Sequence, residues 1–343
     1  MVIFPVEVLI IVGAHLAQTP FRRADDAAAV RRDLLRFALS CRPCYEAVRL
    51  SLRRRLIILY PANLEAAVAR AQSQPAFARG VFDIFFDGFD ASQVSRCLAH
   101  FPSVKDLTLA RVNGVNIDTF RPVANSLERL SLRTLRLAPP PSTGKVVAFP
   151  HLAHLTLIRV RKDENHHDFL TPLPEVSTFV VDPSPSEATA GAYPATLGRA
   201  RLCVVGWRPD NLFPASFPAP PAAVLFFLPL SSAMGCPSAI PDHPTVRRVA
   251  LGTGPPRSQL PPAQRNGSRA TGIRQFVDRV LPHLPHLERL YLPLDLVGEA
   301  EDPALRAALD LLRRSCDALG VRVGRHAGPW EQLGGSFAFD GRG

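Results

Sequence analysis

One short apolar pattern recurs about every 24 residues from residue 81 onward. In each unit an apolar residue is followed by two other residues, a second apolar residue, one more residue and a third apolar residue. The units are Val81/Ile84/Phe86, Val104/Leu107/Leu109, Leu127/Leu130/Leu132, Leu152/Leu155/Leu157, Val176/Phe179/Val181, Leu197/Ala200/Leu202, Pro221/Val224/Phe226, Val246/Val249/Leu251 and Leu287/Leu290/Leu292. Successive units start 21 to 25 residues apart, and only the last step is longer, at 41 residues. Such a period is typical of proteins built from stacked structural repeats.

Prolines mark the same place in five of these units. Each lies two residues before the first apolar position: Pro102, Pro150, Pro174, Pro244 and Pro285. Because proline stops a helix and donates no ladder hydrogen bond, it suits the entry to a strand. The pattern therefore predicts one short strand in each unit, with an earlier strand at residues 56–59 and a closing one at residues 321–323.

Helices are expected between several of the strands, at residues 62–74, 92–101, 272–284 and 303–319. Ser92 and the pair Asp302-Pro303 are the predicted starts of two of them. Segments rich in proline, glycine and serine, at 138–148, 183–194 and 252–270, are predicted to be loops, with an insertion near 252–271. Alternating strands and helices predict an α/β fold with a parallel sheet.

The strand pattern is similar to that of leucine-rich repeats, whose units span 20 to 29 residues. This resemblance implies an irregular solenoid with a curved parallel sheet over residues 53–323, in about nine units, followed by a flexible glycine-rich tail at 324–343. The asparagine that follows the strand in typical repeats is missing from its place in every unit. The alternative is an unrelated parallel α/β fold with short strands.

Two apolar segments near the start of the chain are predicted to form small helices. Pro5 suits the first turn of a helix that ends near Leu16, and Glu7 lies at the positive end of its dipole. The second segment spans residues 34–45, after a charged gap. Two helices of this size cannot bury their own apolar surface, so we expect them to pack on a partner or on the next domain.

Together these segments, over residues 1–52, resemble the F-box, a helical module that binds the Skp-family adaptor of cullin-type ubiquitin ligases. Cys44 stands where the family often has tryptophan. The resemblance implies that the chain is a non-enzymatic substrate-recognition subunit, that the adaptor links it to a cullin, and that the repeats bind a client protein. The adaptor-binding residues it implies are Phe4, Pro5, Glu7, Val8, Leu9, Leu16, Leu35, Leu39, Cys41 and Tyr45.

The concave side of such a sheet is where we expect the client to bind. Side chains that alternate with the last two apolar positions of each strand point there. Arg129, Arg199, Arg248 and Arg289 occupy the same place in their units and predict a row of guanidinium groups, which suits an acidic or phosphorylated client. The client-binding residues predicted are Arg129, Arg133, His154, Arg199, Arg201, Arg248, Arg289 and Tyr291. Arginine on a strand face that serves only solubility is the alternative.

The charge pattern favours protein partners over nucleic acid. The net charge is +10, but the arginines are scattered among 30 acidic residues without a lysine-rich block. The opening apolar run is short of the roughly 20 residues of a membrane span, and it lacks the basic start of a signal peptide. Six irregularly spaced cysteines then predict reduced thiols in the cytoplasm or nucleus.

Sequence motifs for catalysis or cofactors are absent from the chain. It has no G-x-S-x-G, no phosphate-binding glycine loop and no H-E-x-x-H. Cys41 and Cys44 form a C-x-x-C without a second pair, which favours packing in a helix over zinc binding. We therefore expect no cofactor or metal and no enzymatic activity. The alternatives to a ligase subunit are an interaction scaffold whose helices only cap the repeats and an α/β enzyme of unrecognised type.

Overall fold

A computed structural model describes residues 24–138, 147–158, 160, 176, 178–182, 202–206, 224–229, 247–252, 262–293, 296 and 302–326. The chain is a mixed α/β protein with parallel sheets and helices at its N-terminal end. It divides into two compact units, residues 1–153 with 159–174, and residues 154–158 with 175–343. The helix predicted between residues 4 and 16 lies outside the described residues, and the domain boundaries at 52 and 323 remain predictions.

A helical hairpin precedes the first strand of the first unit. It consists of α1 (Ala24–Ser40) and α2 (Arg42–Arg54). Leu34, Ala38 and Val48 are buried between the two helices. Three buried aliphatic side chains make a small core, so the hairpin depends on contacts with the rest of the unit for its stability.

Four parallel strands follow in chain order: β1 (Arg55–Ile58), β2 (Asp83–Asp87), β3 (Asp106–Ala110) and β4 (Arg129–Arg133). The predicted apolar positions of β2 to β4 are Ile84, Phe86, Leu107, Leu109, Leu130 and Leu132, all of them buried. They pair in register across neighbouring strands. Alternation along each strand therefore directs one face of the sheet into the core.

The same backbone turn follows three successive strands. Gly88, Arg111 and Thr134 each come directly after a strand, and each has a positive φ, of 80°, 52° and 51° respectively. The Gly88 N–H donates to the Ala110 carbonyl, and the Arg111 N–H donates to the Arg133 carbonyl. A left-handed residue at the same place in three sequence repeats shows that these repeats share a turn as well as a strand.

Helices fill the returns between these strands: α3 (Pro61–Ser73), α4 (Pro75–Gly80), α5 (Ala91–Leu98) and a 3₁₀ turn (Ile117–Phe120). The helices predicted at 62–74 and 92–101 are thus present. Asp90, not Ser92, is the residue that caps α5, and its N–H donates to Gln93 Oε1 at 3.1 Å. The helix begins one residue earlier than predicted because Asp90 and Gln93 have the capping-box spacing.

Among its described residues the second unit has seven parallel strands, of which neighbours in the chain are paired. They are β5 (His154–Ile158), β6 (Thr178–Asp182), β7 (Leu202–Gly206), β8 (Val224–Pro229), β9 (Arg248–Gly252), β10 (Arg289–Pro293) and β11 (Arg322–His326). Because β11 reaches His326, the predicted tail begins in a strand, and its remainder lies outside the described residues.

One strand of this unit was predicted in the wrong register. The sequence pattern centred the sixth repeat on Ala200 and Leu202, but Cys203 and Val205 pair with Phe179 and Val181. The strand lies about three residues later because Leu202 to Val205 is a continuous apolar run, which favours strand over the mixed residues before it.

A long helix occupies part of the region predicted to be a loop. Helix α6 (Pro262–Gln275) continues through a π turn (Phe276–Val280) and a 3₁₀ turn (Leu281–His283). Ala270, Ile273 and Phe276 pack against β9, β10 and α7 (Pro303–Ala318) in the core of the second unit. This tertiary packing outweighs the low helix propensity of Asn266, Gly267 and Ser268. At α7 the predicted cap is present, since Asp302 Oδ1 accepts from the Ala304 N–H at 2.9 Å.

The repeated turn gives a direct stability test. We expect Gly88→Ala to lower the free energy of unfolding by about 1 to 2 kcal/mol, because a side chain disfavours the left-handed conformation. An added Cβ meets no atom within 4 Å at Gly88 or at Gly80, and only Gly88 has a positive φ. Gly80→Ala is therefore the matched control, and we expect it to be neutral or slightly stabilising. Chemical denaturation of both variants measures the difference, and equal effects would contradict the assigned turn.

Candidate functional site

Three large apolar side chains are exposed on the helical hairpin. Leu35 is 42% exposed, Leu39 is 85% exposed and Tyr45 is 43% exposed. Leu35 and Leu39 are four residues apart on α1 and share one face of it, while Tyr45 lies in the first turn of α2. Cys41 between them is also exposed. We call these four residues the hairpin patch. The other residues implied for adaptor binding lie outside the described residues: Phe4, Pro5, Glu7, Val8, Leu9 and Leu16.

A different face of the hairpin packs on the first sheet. Val30 of α1 contacts a cluster around Phe85 that includes Ile57 and Leu59. Phe85 alternates with Ile84 and Phe86, so it points away from the core of the sheet, and it is nevertheless fully buried. Helix α1 thus covers part of the sheet face on which the sequence predicted client binding.

Four charged residues form a row across this sheet face. Arg55, Asp83, Asp106 and Arg129 pair in register along β1 to β4. Arg55 Nε lies 2.6 Å from Asp83 Oδ2, and Arg129 Nη1 lies 3.7 Å from Asp106 Oδ2. The row therefore balances its own charge within the first unit. Arg129, which was predicted to bind the client, is already beside an acidic partner.

The two central carboxyl groups of this row are poorly solvated. Burial raises the pKa of Asp83 to about 7, the charge of Asp106 adds to the rise, and Arg55 and Arg129 oppose it. Burial also raises the pKa of Asp106, against the opposing charges of the same arginines. Neighbouring strands are about 4.8 Å apart, so two charged carboxylates here would repel each other at close range.

Arg133 and Tyr291, two further predicted client-binding residues, are largely buried. Arg133 is 8% exposed, and its Nε donates to Ser131 Oγ at 3.0 Å. Tyr291 is 9% exposed, and its ring lies across Gly324, where an added Cβ would come within 3.1 Å of Tyr291 Cδ1. Both side chains therefore offer little surface to a client. His154 is half-buried at the start of β5.

The second unit carries a row of three arginine residues. Arg248, Arg289 and Arg322 pair in register on β9, β10 and β11. Within the described part of the chain, the guanidinium groups of Arg289 and Arg322 have no acidic partner. We call these three residues the arginine ladder. Neighbouring strands space the backbones of these residues about 5 Å apart, so carboxylate or phosphate oxygens of one ligand can reach two guanidinium groups.

The ladder differs from the predicted row at both ends. Arg199 was predicted to belong to it, but Leu202 occupies the corresponding place on β7, opposite Thr178. Arg199 and Arg201 themselves lie outside the described residues. Arg322 was missed because no full repeat pattern was assigned to the last strand. Its position between Val321 and Val323 was the available signal, because alternation places it on the same face as Arg289.

Other kinds of site find little support in the described ranges. No group of three or more His, Cys, Asp or Glu side chains there is placed to hold a metal ion. No helix in these ranges has the length and apolar character needed to span a bilayer. No protein-family model matches the chain, and no curated protein sequence matches it either.

The raised pKa of Asp83 predicts an unusual dependence of stability on pH. In the unfolded chain an aspartate titrates near pH 4, whereas the fold favours the protonated form of Asp83 up to about pH 7. Its stabilising contribution is thus present below about pH 4 and is lost as the pH rises through about 7. Asp83→Asn should remove this loss, because the amide does not ionise.

Denaturation curves between pH 4 and pH 8 measure this effect. Asp33→Asn, which removes an exposed carboxyl group of α1, is the control and should keep the wild-type dependence. An identical pH dependence in wild type and Asp83→Asn would show that Asp83 is ionised throughout.

Proposed function

We propose that this protein is a substrate-recognition subunit of a cullin-type ubiquitin ligase. Its N-terminal helices act as an F-box that binds a Skp-family adaptor, and its strands form an irregular leucine-rich-repeat solenoid that binds a client protein. The mechanism is positional, since the subunit holds the client near the site of ubiquitin transfer and raises its effective concentration there.

The observation that carries this proposal is the hairpin patch. Leu35, Leu39 and Tyr45 are large apolar side chains that a folded protein normally buries, and here all three are exposed on two adjoining helices. Exposed apolar clusters of this kind mark protein-interaction sites. The same residues were implied for adaptor binding by the sequence resemblance, without any use of their exposure.

Support for repeats comes from features that recur in successive units. Strands β1 to β4 are parallel and pair in chain order, and a left-handed residue follows β2, β3 and β4. The strand entries also match, because the Lys105 carbonyl accepts from Arg129 N–H as the Phe82 carbonyl accepts from Asp106 N–H. Each of these repeats thus contacts the neighbouring repeats through the same set of backbone hydrogen bonds, as stacked repeats do.

We assign client binding to the arginine ladder of the second unit. Each arginine in the charged row of the first unit already lies beside Asp83 or Asp106, and α1 covers part of that sheet face. At Arg289 and Arg322 the ladder has no acidic partner among the described residues. A client segment rich in carboxylates or phosphates is the partner of complementary charge.

An interaction scaffold is the second candidate, and a specific contact favours it. Val30 packs against Phe85, which is the kind of contact that a helix capping the end of a sheet would make. In a scaffold the hairpin would only protect the first strands and would bind no adaptor. The two functions share the client-binding unit and differ only in what the hairpin patch contacts.

Adaptor binding separates these two functions. We expect the full chain to bind a purified Skp-family adaptor and Leu39→Glu to weaken that binding by about tenfold or more, because a charge then enters an apolar contact. Leu39 is 85% exposed, so the change should leave the fold intact. Leu319→Glu is the matched control, since Leu319 is 59% exposed and lies at the end of α7.

Calorimetric titration with the adaptor measures both variants. Lack of binding by the wild-type chain would support the scaffold. Equal weakening by Leu39→Glu and Leu319→Glu would show that the hairpin patch is not the contact.

The arginine ladder can be tested with a defined peptide. We expect a peptide with two phosphoserines among glutamates to bind, and Arg289→Gln to weaken binding by about tenfold, because a charge-assisted contact is lost. Arg247→Gln is the control with the same change in charge. Arg247 is paired with Glu288 and alternates with Arg248, so it does not point into the ladder. Fluorescence anisotropy measures both, and equal losses would indicate only general attraction to a basic protein.

A further inference from the structure

Two thiols meet at the corner between α1 and α2. The Sγ atoms of Cys41 and Cys44 are 3.3 Å apart, and both cysteines are free. Helix α2 begins at Arg42, and the Cys41 carbonyl accepts from the Tyr45 N–H at 3.1 Å. Cys41 is therefore the residue that caps α2, and Cys44 lies in its first turn. Residues three apart share one side of a helix, which explains the contact between the sulfur atoms.

The two thiols have different surroundings. Cys41 is exposed, whereas Cys44 is only 5% exposed. Burial raises the pKa of Cys44, and its hydrogen bond with Cys41 and the charge of that residue add to the rise. A reagent in solution therefore meets Cys41 first, while Cys44 stays protonated behind it. One accessible sulfur and one shielded sulfur in contact are the elements that dithiol exchange requires.

We propose that Cys41 and Cys44 form a reversible dithiol–disulfide couple that exchanges with low-molecular-weight disulfides such as glutathione disulfide. Deprotonated Cys41 attacks one sulfur of glutathione disulfide, which forms a mixed disulfide and releases one glutathione thiolate. Cys44 then gives up its proton and attacks the Cys41 sulfur, which releases the second glutathione. Overall, two protein thiols are oxidised to one disulfide and one glutathione disulfide is reduced to two glutathione molecules.

The geometry favours closure of this disulfide. The two sulfur atoms must approach from 3.3 Å to about 2.05 Å, a distance that side-chain rotation can cover. Pro43 between the cysteines suits the first turn of the helix, where a missing N–H breaks no helical bond. The corner can therefore hold the thiols close in both redox states.

The other cysteines with described side chains lack these properties. Cys97 and Cys316 are fully buried. Burial raises the pKa of Cys97 to about 12 and that of Cys316 to about 11. They serve as internal controls in the same chain. The couple also stands independently of the proposed function, because its chemistry requires no adaptor.

Peptide mapping of the full, folded chain tests the couple. The reduced protein is incubated with glutathione disulfide, free thiols are alkylated, and the masses of the tryptic peptides are measured by mass spectrometry. Trypsin does not cleave the Arg42-Pro43 bond, so both cysteines remain in the peptide of residues 37–49. We expect this peptide to lose two hydrogens through an internal disulfide and to regain them with dithiothreitol. Cys97 and Cys316 should stay reduced.

Two variants test the order of the steps. Cys44→Ser should trap a stable glutathione adduct on Cys41, whereas Cys41→Ser should leave Cys44 unmodified, because Cys44 is shielded from solution. A wild-type peptide that stays reduced in excess glutathione disulfide, or that carries glutathione without an internal disulfide, would overturn the proposal. Modification of Cys44 in Cys41→Ser at the rate at which Cys41 is modified in Cys44→Ser would overturn it as well.

Discussion

Register between neighbouring parallel strands is the constraint on which the rest of the structure depends. Because the backbone bonds align equivalent positions, each place in a repeat becomes a row across a sheet. Apolar places such as Ile84, Leu107 and Leu130 then form a continuous core. Charged residues at equivalent positions form rows in the same way, and the signs of the charges in a row determine what it can bind. In the first unit's row each arginine lies beside an aspartate, whereas the second unit's ladder contains only arginines.

The helical hairpin differs from the sheet, because its own core is too small to keep it folded alone. Leu34, Ala38 and Val48 are buried within it, and Val30 connects it to the sheet. The contact with Phe85 anchors the hairpin on the sheet face that also carries the charged row. What remains exposed is the hairpin patch, whose Cys41 contacts the buried Cys44 behind it.

Most of the strands could be predicted from the sequence because apolar alternation is a local signal that burial reinforces. Helices α3, α5 and α7 were predictable from their apolar spacing, and Asp302-Pro303 also marked the start of α7. The strand β7 was misplaced because residues 200–205 match the apolar pattern in two registers, and only pairing with β6 distinguishes them. The part of helix α6 before residue 272 was missed because its sequence favours a loop and its stability comes from packing on α7, whereas the helix predicted at 272–284 covers its end and the turns that follow.

Candidate site residues were less predictable than strands, since partners from distant parts of the chain decide their state. Arg129 and Arg289 look alike in sequence, yet only Arg129 has an aspartate on the neighbouring strand. The shielding of the first sheet by α1 depends on a contact between residues 55 positions apart, Val30 and Phe85, for which the sequence carries no pattern. Arg322 was the exception, because simple alternation could have identified it.

Hydrogen–deuterium exchange of the full chain, with and without a purified Skp-family adaptor, tests the central claim most directly. The claim is that α1 and the start of α2 form the adaptor contact. It predicts slower exchange in residues 35–48 when the adaptor is present, with unchanged exchange in β9 to β11. Unchanged exchange in residues 35–48, or protection confined to the arginine ladder, would contradict it.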